Sequence, residues 1–118
     1  MEVLAERLKA LSDPTRLRVV RLLDHGELCV CDLMEALDLP QSKVSRHMSF
    51  LKKSGWVTSR RSGKWVYYSL ATPEDPIQAR ISTVLRQDLK QVPQAGEDYQ
   101  RLCDYLKTKD QETCNQVD

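Results

Sequence analysis

Residues 30–53 read Val30-Cys31-Asp32-Leu33-Met34-Glu35-Ala36-Leu37-Asp38-Leu39-Pro40-Gln41-Ser42-Lys43-Val44-Ser45-Arg46-His47-Met48-Ser49-Phe50-Leu51-Lys52-Lys53. Val30, Leu33, Met34 and Leu37 recur at helical spacing, which predicts a short helix over 30–37. Val44, Met48 and Leu51 form one apolar stripe of a second helix over 41–54. Between them Asp38-Leu39-Pro40 supplies the few-residue break of a helix-turn-helix, with Pro40 unable to continue the first helix.

The flanking sequence extends this unit in both directions. Upstream, Val3, Leu4, Leu8 and Leu11 mark a helix over 2–11. Asp13-Pro14 reads as an N-cap and first-turn proline opening a mostly buried helix over 14–25. Downstream, residues 56–61 and 64–70 are rich in Val, Thr, Trp and Tyr and are separated by Ser62-Gly63, a hairpin signature. A strongly amphipathic helix over 76–92 follows, and a further one over 97–107, with fraying expected beyond Thr108. A hairpin placed directly after the second helix of the pair gives a mainly α protein with a small β-hairpin (α+β), a winged helix-turn-helix. Residues 1–92 would form this winged helix-turn-helix domain, and 93–118 a C-terminal helical extension and tail.

The chain has 118 residues, 41% of them hydrophobic, enough for one compact core. Its net charge of +1 conceals a strong polarity. Seven of the 18 basic residues and none of the 17 acidic ones lie between Leu39 and Pro73, so that stretch nets +7 and the remainder −6. The seven are Lys43, Arg46, Lys52, Lys53, Arg60, Arg61 and Lys64, a set suited to neutralising phosphates. On the helix over 41–54, Ser42, Arg46, Ser49 and Lys53 fall opposite the apolar stripe, with Ser45 on the flank. Gln41, Ser42, Ser45 and Arg46 sit early on that helix, where base-edge contacts usually arise. His47 lies at the edge of the buried stripe, a packed histidine or a base reader. A Ser62-Gly63 loop would set Arg61 opposite Lys64, a like-charge pair that a neighbouring polyanion would relieve. A solvated basic surface is the competing reading. The coincidence of acid-free stretch, helix-turn-helix and basic hairpin favours double-stranded DNA.

No apolar run exceeds four residues, against about 20 for a membrane span. The amphipathic, acid-containing N-terminus does not read as a secretory signal, so a cytoplasmic protein with four reduced thiols is expected. Cys29 and Cys31 flank the start of the helix over 30–37. On a regular helix residues two apart point about 200° from each other, so both sulfurs reach one ion only through a distorted first turn. One buried cysteine beside an exposed bystander fits the same spacing. Neither histidine is spaced beside a cysteine as a nucleophile–base pair, so no enzyme is expected.

Four stretches together, Leu11 to Leu17, Glu27 to Leu33, Gln41 to His47 and Ser54 to Val57, give the chain a sequence that resembles the ArsR/SmtB family of metal-responsive repressors. The resemblance implies a homodimer that holds operator DNA and leaves it when metal binds. It also implies a dimer interface on the first and fifth helices, which points to Leu4, Leu8, Ile77, Ile81, Leu85 and Leu89. The Cys29-Val30-Cys31 box is similar to that of arsenite and antimonite sensors and of some cadmium and lead sensors. The family's zinc site on the last helix has no counterpart, because residues 76–92 hold no histidine and only Asp88 as an acid. Trivalent arsenic, As(III), or antimony, Sb(III), is therefore the expected inducer, without a permanent cofactor. Some relatives carry a third cysteine where this chain has Met34, which leaves Cys103 or Cys114 as candidate third ligands. On this reading the metalloid strains the start of the third helix and misplaces the fourth. Cadmium, lead or thiol oxidation are alternative triggers, and metal sequestration an alternative role.

Overall fold

The computed structural model describes residues 1–108; Cys114, one candidate third ligand, and the expected fraying beyond Thr108 lie outside the described residues. In chain order the elements are helices α1 (Glu2–Leu11) and α2 (Pro14–Leu23), strand β1 (Leu28–Cys29), and helices α3 (Val30–Leu37) and α4 (Gln41–Lys53). Strands β2 (Val57–Ser62) and β3 (Trp65–Leu70) follow, then α5 (Pro76–Asp88), one 3-10 turn (Leu89–Gln91) and α6 (Pro93–Thr108). The mainly helical winged helix-turn-helix read from the sequence is the fold observed.

Local chemistry sets the helix boundaries. The Asp13 carboxylate accepts the Arg16 N–H at 3.1 Å and Pro14 fills the first turn of α2, so α2 starts where its cap dictates. Asp38 ends α3 in the left-handed conformation, φ 56° and ψ 51°, which redirects the chain towards α4. Leu39 N–H then closes on the Met34 carbonyl at 3.2 Å.

Three features differ from the sequence reading. The hairpin turn is Gly63-Lys64, one residue later than expected, because Ser62 pairs with Trp65 and Arg61 with Val66. Gly63 takes φ +63° and Lys64 does not adopt a positive φ, the arrangement of a turn with glycine at its first central position. Arg61 therefore does not face Lys64, and no like-charge pair has to be relieved. The second difference is β1, which pairs antiparallel with β3 as Leu28 with Tyr68 and Cys29 with Tyr67, giving the sheet order β1-β3-β2. Two residues are too few for periodicity to reveal. Third, α6 begins at Pro93, ahead of the helix expected over 97–107. Val92 before it is extended, as a residue preceding proline tends to be, and Gly96 sits inside α6.

The core lies among α2, α3, α4 and α6, where Val19, Leu22, Leu33, Val44, Met48, Leu51 and Leu102 are almost wholly buried. Leu102 places α6 in the same core as the helix-turn-helix. One polar group sits with it: Asp98, 0% exposed, accepts from Arg18 Nε at 2.7 Å and Nη2 at 2.8 Å, and from Gln94 at 3.1 Å. Arg18 also donates to the Leu37 carbonyl at 3.3 Å, so a single guanidinium joins α2, the end of α3 and α6. At the opposite end Arg7 pairs with Glu74 and Asp75, Trp56 Nε1 donates to the Arg7 carbonyl at 2.8 Å, and buried Gln78 donates to the Gly55 carbonyl at 2.8 Å. These bonds fix α1 and α5 against the junction of α4 with the wing.

Removing one partner of a buried charge pair is costly because the survivor loses its compensation. Asp98→Ala is expected to lower unfolding free energy by about 3 kcal/mol, the low end of that class, since Arg18 keeps 23% of its side chain in water. Urea denaturation followed by circular dichroism measures this, and a loss near zero would remove the Arg18–Asp98 pair as the clasp of α6.

Candidate nucleic-acid interface and thiol site

The apolar stripe of α4 is turned inward by burial of Val44, Met48 and Leu51, which forces the opposite face outward. Gln41, Ser42, Lys43, Arg46, Ser49, Lys52 and Lys53 are exposed, and Ser45 is half-buried on the flank. Lys52 and Lys53 occupy the last turn, where the helix dipole favours cations. Arg46, Ser49, Phe50, Lys52 and Lys53 line a shallow concavity on this surface. At the hairpin tip Arg61 and Lys64 are also exposed. Among the described residues no ion pair engages Lys43, Arg46, Lys52, Lys53, Arg61 or Lys64.

Arg60 and His47, two of the candidate DNA contacts, also interact within the chain. Arg60 donates through Nε and Nη2 to both Glu27 carboxylate oxygens at 2.7 Å, and its guanidinium lies 4.5 Å over the Tyr67 ring. His47 turns inward: its Nδ1 lies 4.0 Å from Asp13 Oδ1 and has no hydrogen bond among the described residues. Burial pushes the His47 pKa below its ordinary 6.5; nearby Arg16 and Arg46 act in the same direction, and Asp13 only partly opposes them. Near neutral pH His47 is thus a packed, uncharged imidazole.

The thiol site differs most from expectation. Cys29 closes β1 and is the N-cap of α3, with extended backbone at φ −87° and ψ 169°; it is not a helical residue. The 200° divergence expected of two helical positions therefore does not apply. The Cys29 and Cys31 sulfurs lie 2.9 Å apart with α3 undistorted, so strain in the first turn is not what brings them together. Both are buried, 1% and 3% exposed, which excludes the arrangement of one buried cysteine and one exposed bystander. Trp65 and Tyr67 of β3 pack against them. Cys103 is a free thiol, whereas Cys31 is disulfide-bonded, against the expectation of four reduced cysteines.

Asp32, which the sequence reading passed over, completes the cluster. It is 4% exposed, and its carboxylate accepts the Cys29 N–H at 2.9 Å. The ligand atoms of Cys29, Cys31 and Asp32 lie within 4.8 Å of one another and could hold an ion. The signal was available: an acid three residues after an N-cap is the capping-box position, which turns its carboxylate back to the cap. Half-buried Cys103 is not part of this cluster.

On the predicted dimer surface, Leu8 and Ile77 are 45% and 50% exposed, and Leu4 is half-buried. Ile81 and Leu85 pack partly against the core of this chain, while Val3 and Val84, which the sequence reading left out, are 64% and 54% exposed. No helix among the described residues is long and apolar enough to cross a membrane.

Residues 13–59 match the family model described as bacterial regulatory protein, arsR family. The chain is 55% identical over 64 residues to the arsenical resistance operon repressor of Escherichia coli K12, covering 53% of this chain and 55% of that one. It thus spans about half the length of that relative. Against an uncharacterized HTH-type transcriptional regulator of Methanocaldococcus jannaschii it is 44% identical over 84 residues, 70% of this chain and 92% of the other. The homodimeric winged helix-turn-helix DNA-binding domain of a possible ArsR-family regulator from Mycobacterium bovis superimposes with a TM-score of 0.64 at 27% identity, covering 78% of this chain and 82% of that one.

The inward His47 has a pH signature. Its folded-state pKa lies below 6.5, so the unfolded chain binds the proton more readily. The contribution of the neutral imidazole is present above pH 6.5 and is lost as pH falls through the folded pKa. Urea unfolding between pH 7.5 and about 5.5 should show a decline in stability that flattens in His47→Gln; an equal decline in both proteins would contradict the inward placement.

Proposed function

The chain belongs to the arsR family of bacterial regulatory proteins, and from that premise we propose that it is a metalloid-responsive transcriptional repressor. In this reading it acts in the cytoplasm as a homodimer on operator DNA. Lys43, Arg46, Lys52, Lys53, Arg61 and Lys64 hold phosphates, and Gln41, Ser42, Ser45, Arg46 and Ser49 face the major groove. The exposed residues of α1 and α5 (Val3, Leu8, Ile77 and Val84) supply apolar surface for a second copy.

The observation that carries the proposal is the 2.9 Å approach of the Cys29 and Cys31 sulfurs at the point where β1 becomes α3. Two adjacent thiolates suit a thiophilic ion, As(III) or Sb(III), once Cys31 is in its reduced form. Cys29 is paired with Tyr67 of the wing, and Cys31 sits in the first turn of the helix-turn-helix. An ion bound to both sulfurs therefore acts on the two DNA-contacting parts at once, through the joint between them and not through a pre-strained helix. A coupling of about 1–3 kcal/mol corresponds to a 5- to 150-fold loss of DNA affinity.

Asp32 supports a second reading. A donor set of two sulfurs and one oxygen also suits a divalent ion, soft cadmium or borderline zinc. Fluorescence anisotropy with upstream-region DNA under reducing conditions separates the possibilities. Arsenite should release the wild-type protein, and Cys29→Ser/Cys31→Ser should bind DNA normally and ignore arsenite. Release of that double variant by arsenite removes the pair from the mechanism, and release by cadmium at lower concentration than arsenite transfers the assignment to the divalent ion. Avid arsenite binding without salt-dependent DNA affinity would instead mark a sequestering protein.

A further inference from the structure

We propose that Glu27 limits the DNA affinity of the wing by occupying Arg60 as an internal stand-in for a phosphate; the inference rests on the DNA-binding reading above. Of the three wing cations, Arg61 and Lys64 are unengaged among the described residues, and Arg60 alone is held. The hold is the bidentate fork that guanidinium makes equally with carboxylate or phosphate, both bonds at 2.7 Å. Both side chains remain in water, Arg60 57% and Glu27 33% exposed, so the pair is open to exchange for an external anion. The Tyr67 ring beneath the guanidinium, at 4.5 Å, keeps it presented at the sheet surface when Glu27 lets go. The pair also bridges two parts of the site. Glu27 stands two residues before Cys29, and Tyr67 is both the platform of Arg60 and the strand partner of Cys29. Arg60 thus sits between the strand partner of Cys29 and the outer face of the wing, and a bidentate phosphate contact through its Nε–Nη2 edge requires breaking its bonds to Glu27.

The test uses full-length protein in reducing buffer with a fluorescein-labelled mixed-sequence DNA duplex, titrated at several salt concentrations. Glu27→Gln should tighten binding about two- to five-fold, and should steepen the slope of log K against log salt by about 0.9 for each Arg60 released. The gain should vanish when Arg60→Gln is also present, because a general effect of removing one negative charge would survive that second change. Unchanged or weaker binding by Glu27→Gln overturns the latch, as does a gain that persists in Glu27→Gln/Arg60→Gln. Wild-type protein that shows no salt-dependent binding overturns the DNA-binding reading and the latch together, whereas binding insensitive to Glu27→Gln overturns the latch alone.

Discussion

The short antiparallel pairing of Leu28 and Cys29 with Tyr68 and Tyr67 is the constraint on which the arrangement of the site depends. It holds Cys29 in extended backbone at the position that caps α3. Were α3 one residue longer at its start, Cys29 would become helical and its side chain would swing away from Cys31. The pairing keeps the sulfurs convergent while leaving the helix regular. It also makes the sheet three-stranded, so the wing is bonded directly to the start of the helix-turn-helix. Around this joint Trp65 and Tyr67 exclude water, and Asp32 satisfies the Cys29 N–H that the start of a helix would otherwise leave unpaired.

The rest of the molecule separates two demands on the same helices. The inner faces of α2, α3 and α4 build a dry core with α6, held at its polar point by Arg18 and Asp98. The outer face of α4 and the hairpin tip keep cations without internal partners among the described residues, which conserves their charge for an external anion. Arg60 is the exception: it is held by Glu27 and stacked on Tyr67, the strand partner of Cys29. His47 shows the boundary between the two demands: it follows Arg46 on α4 but belongs to the buried side, where ionisation is penalised.

Much of the fold was legible because its signals are local. Asp13-Pro14 and Asp38-Leu39-Pro40 mark their boundaries through capping and backbone geometry within a few residues. The stripe of Val44, Met48 and Leu51 fixes which face of α4 is outward, and with it Ser42, Arg46, Ser49 and Lys53. The hairpin was legible but its register was not: Ser62-Gly63 and Gly63-Lys64 are both acceptable two-residue loops, and pairing along the strands selects the second. The start of α6 at Pro93 was not legible, because an end of one helix and a start of the next look alike when only the proline is considered. Asp32 was marked only by its capping-box spacing, and Glu27 by nothing local, because its partner Arg60 lies 33 positions away.

The sequence by itself determined the order of elements, the inward and outward faces of α4, and the basic character of one continuous stretch, because all three follow from spacing and charge along the chain. The convergence of Cys29 and Cys31 and the capture of Arg60 by Glu27 were decided only by tertiary structure. Each depends on which residue lies across from which in space. Glu27 and Arg60 stand 33 positions apart in the chain and meet only because β1 pairs with β3 and β3 with β2.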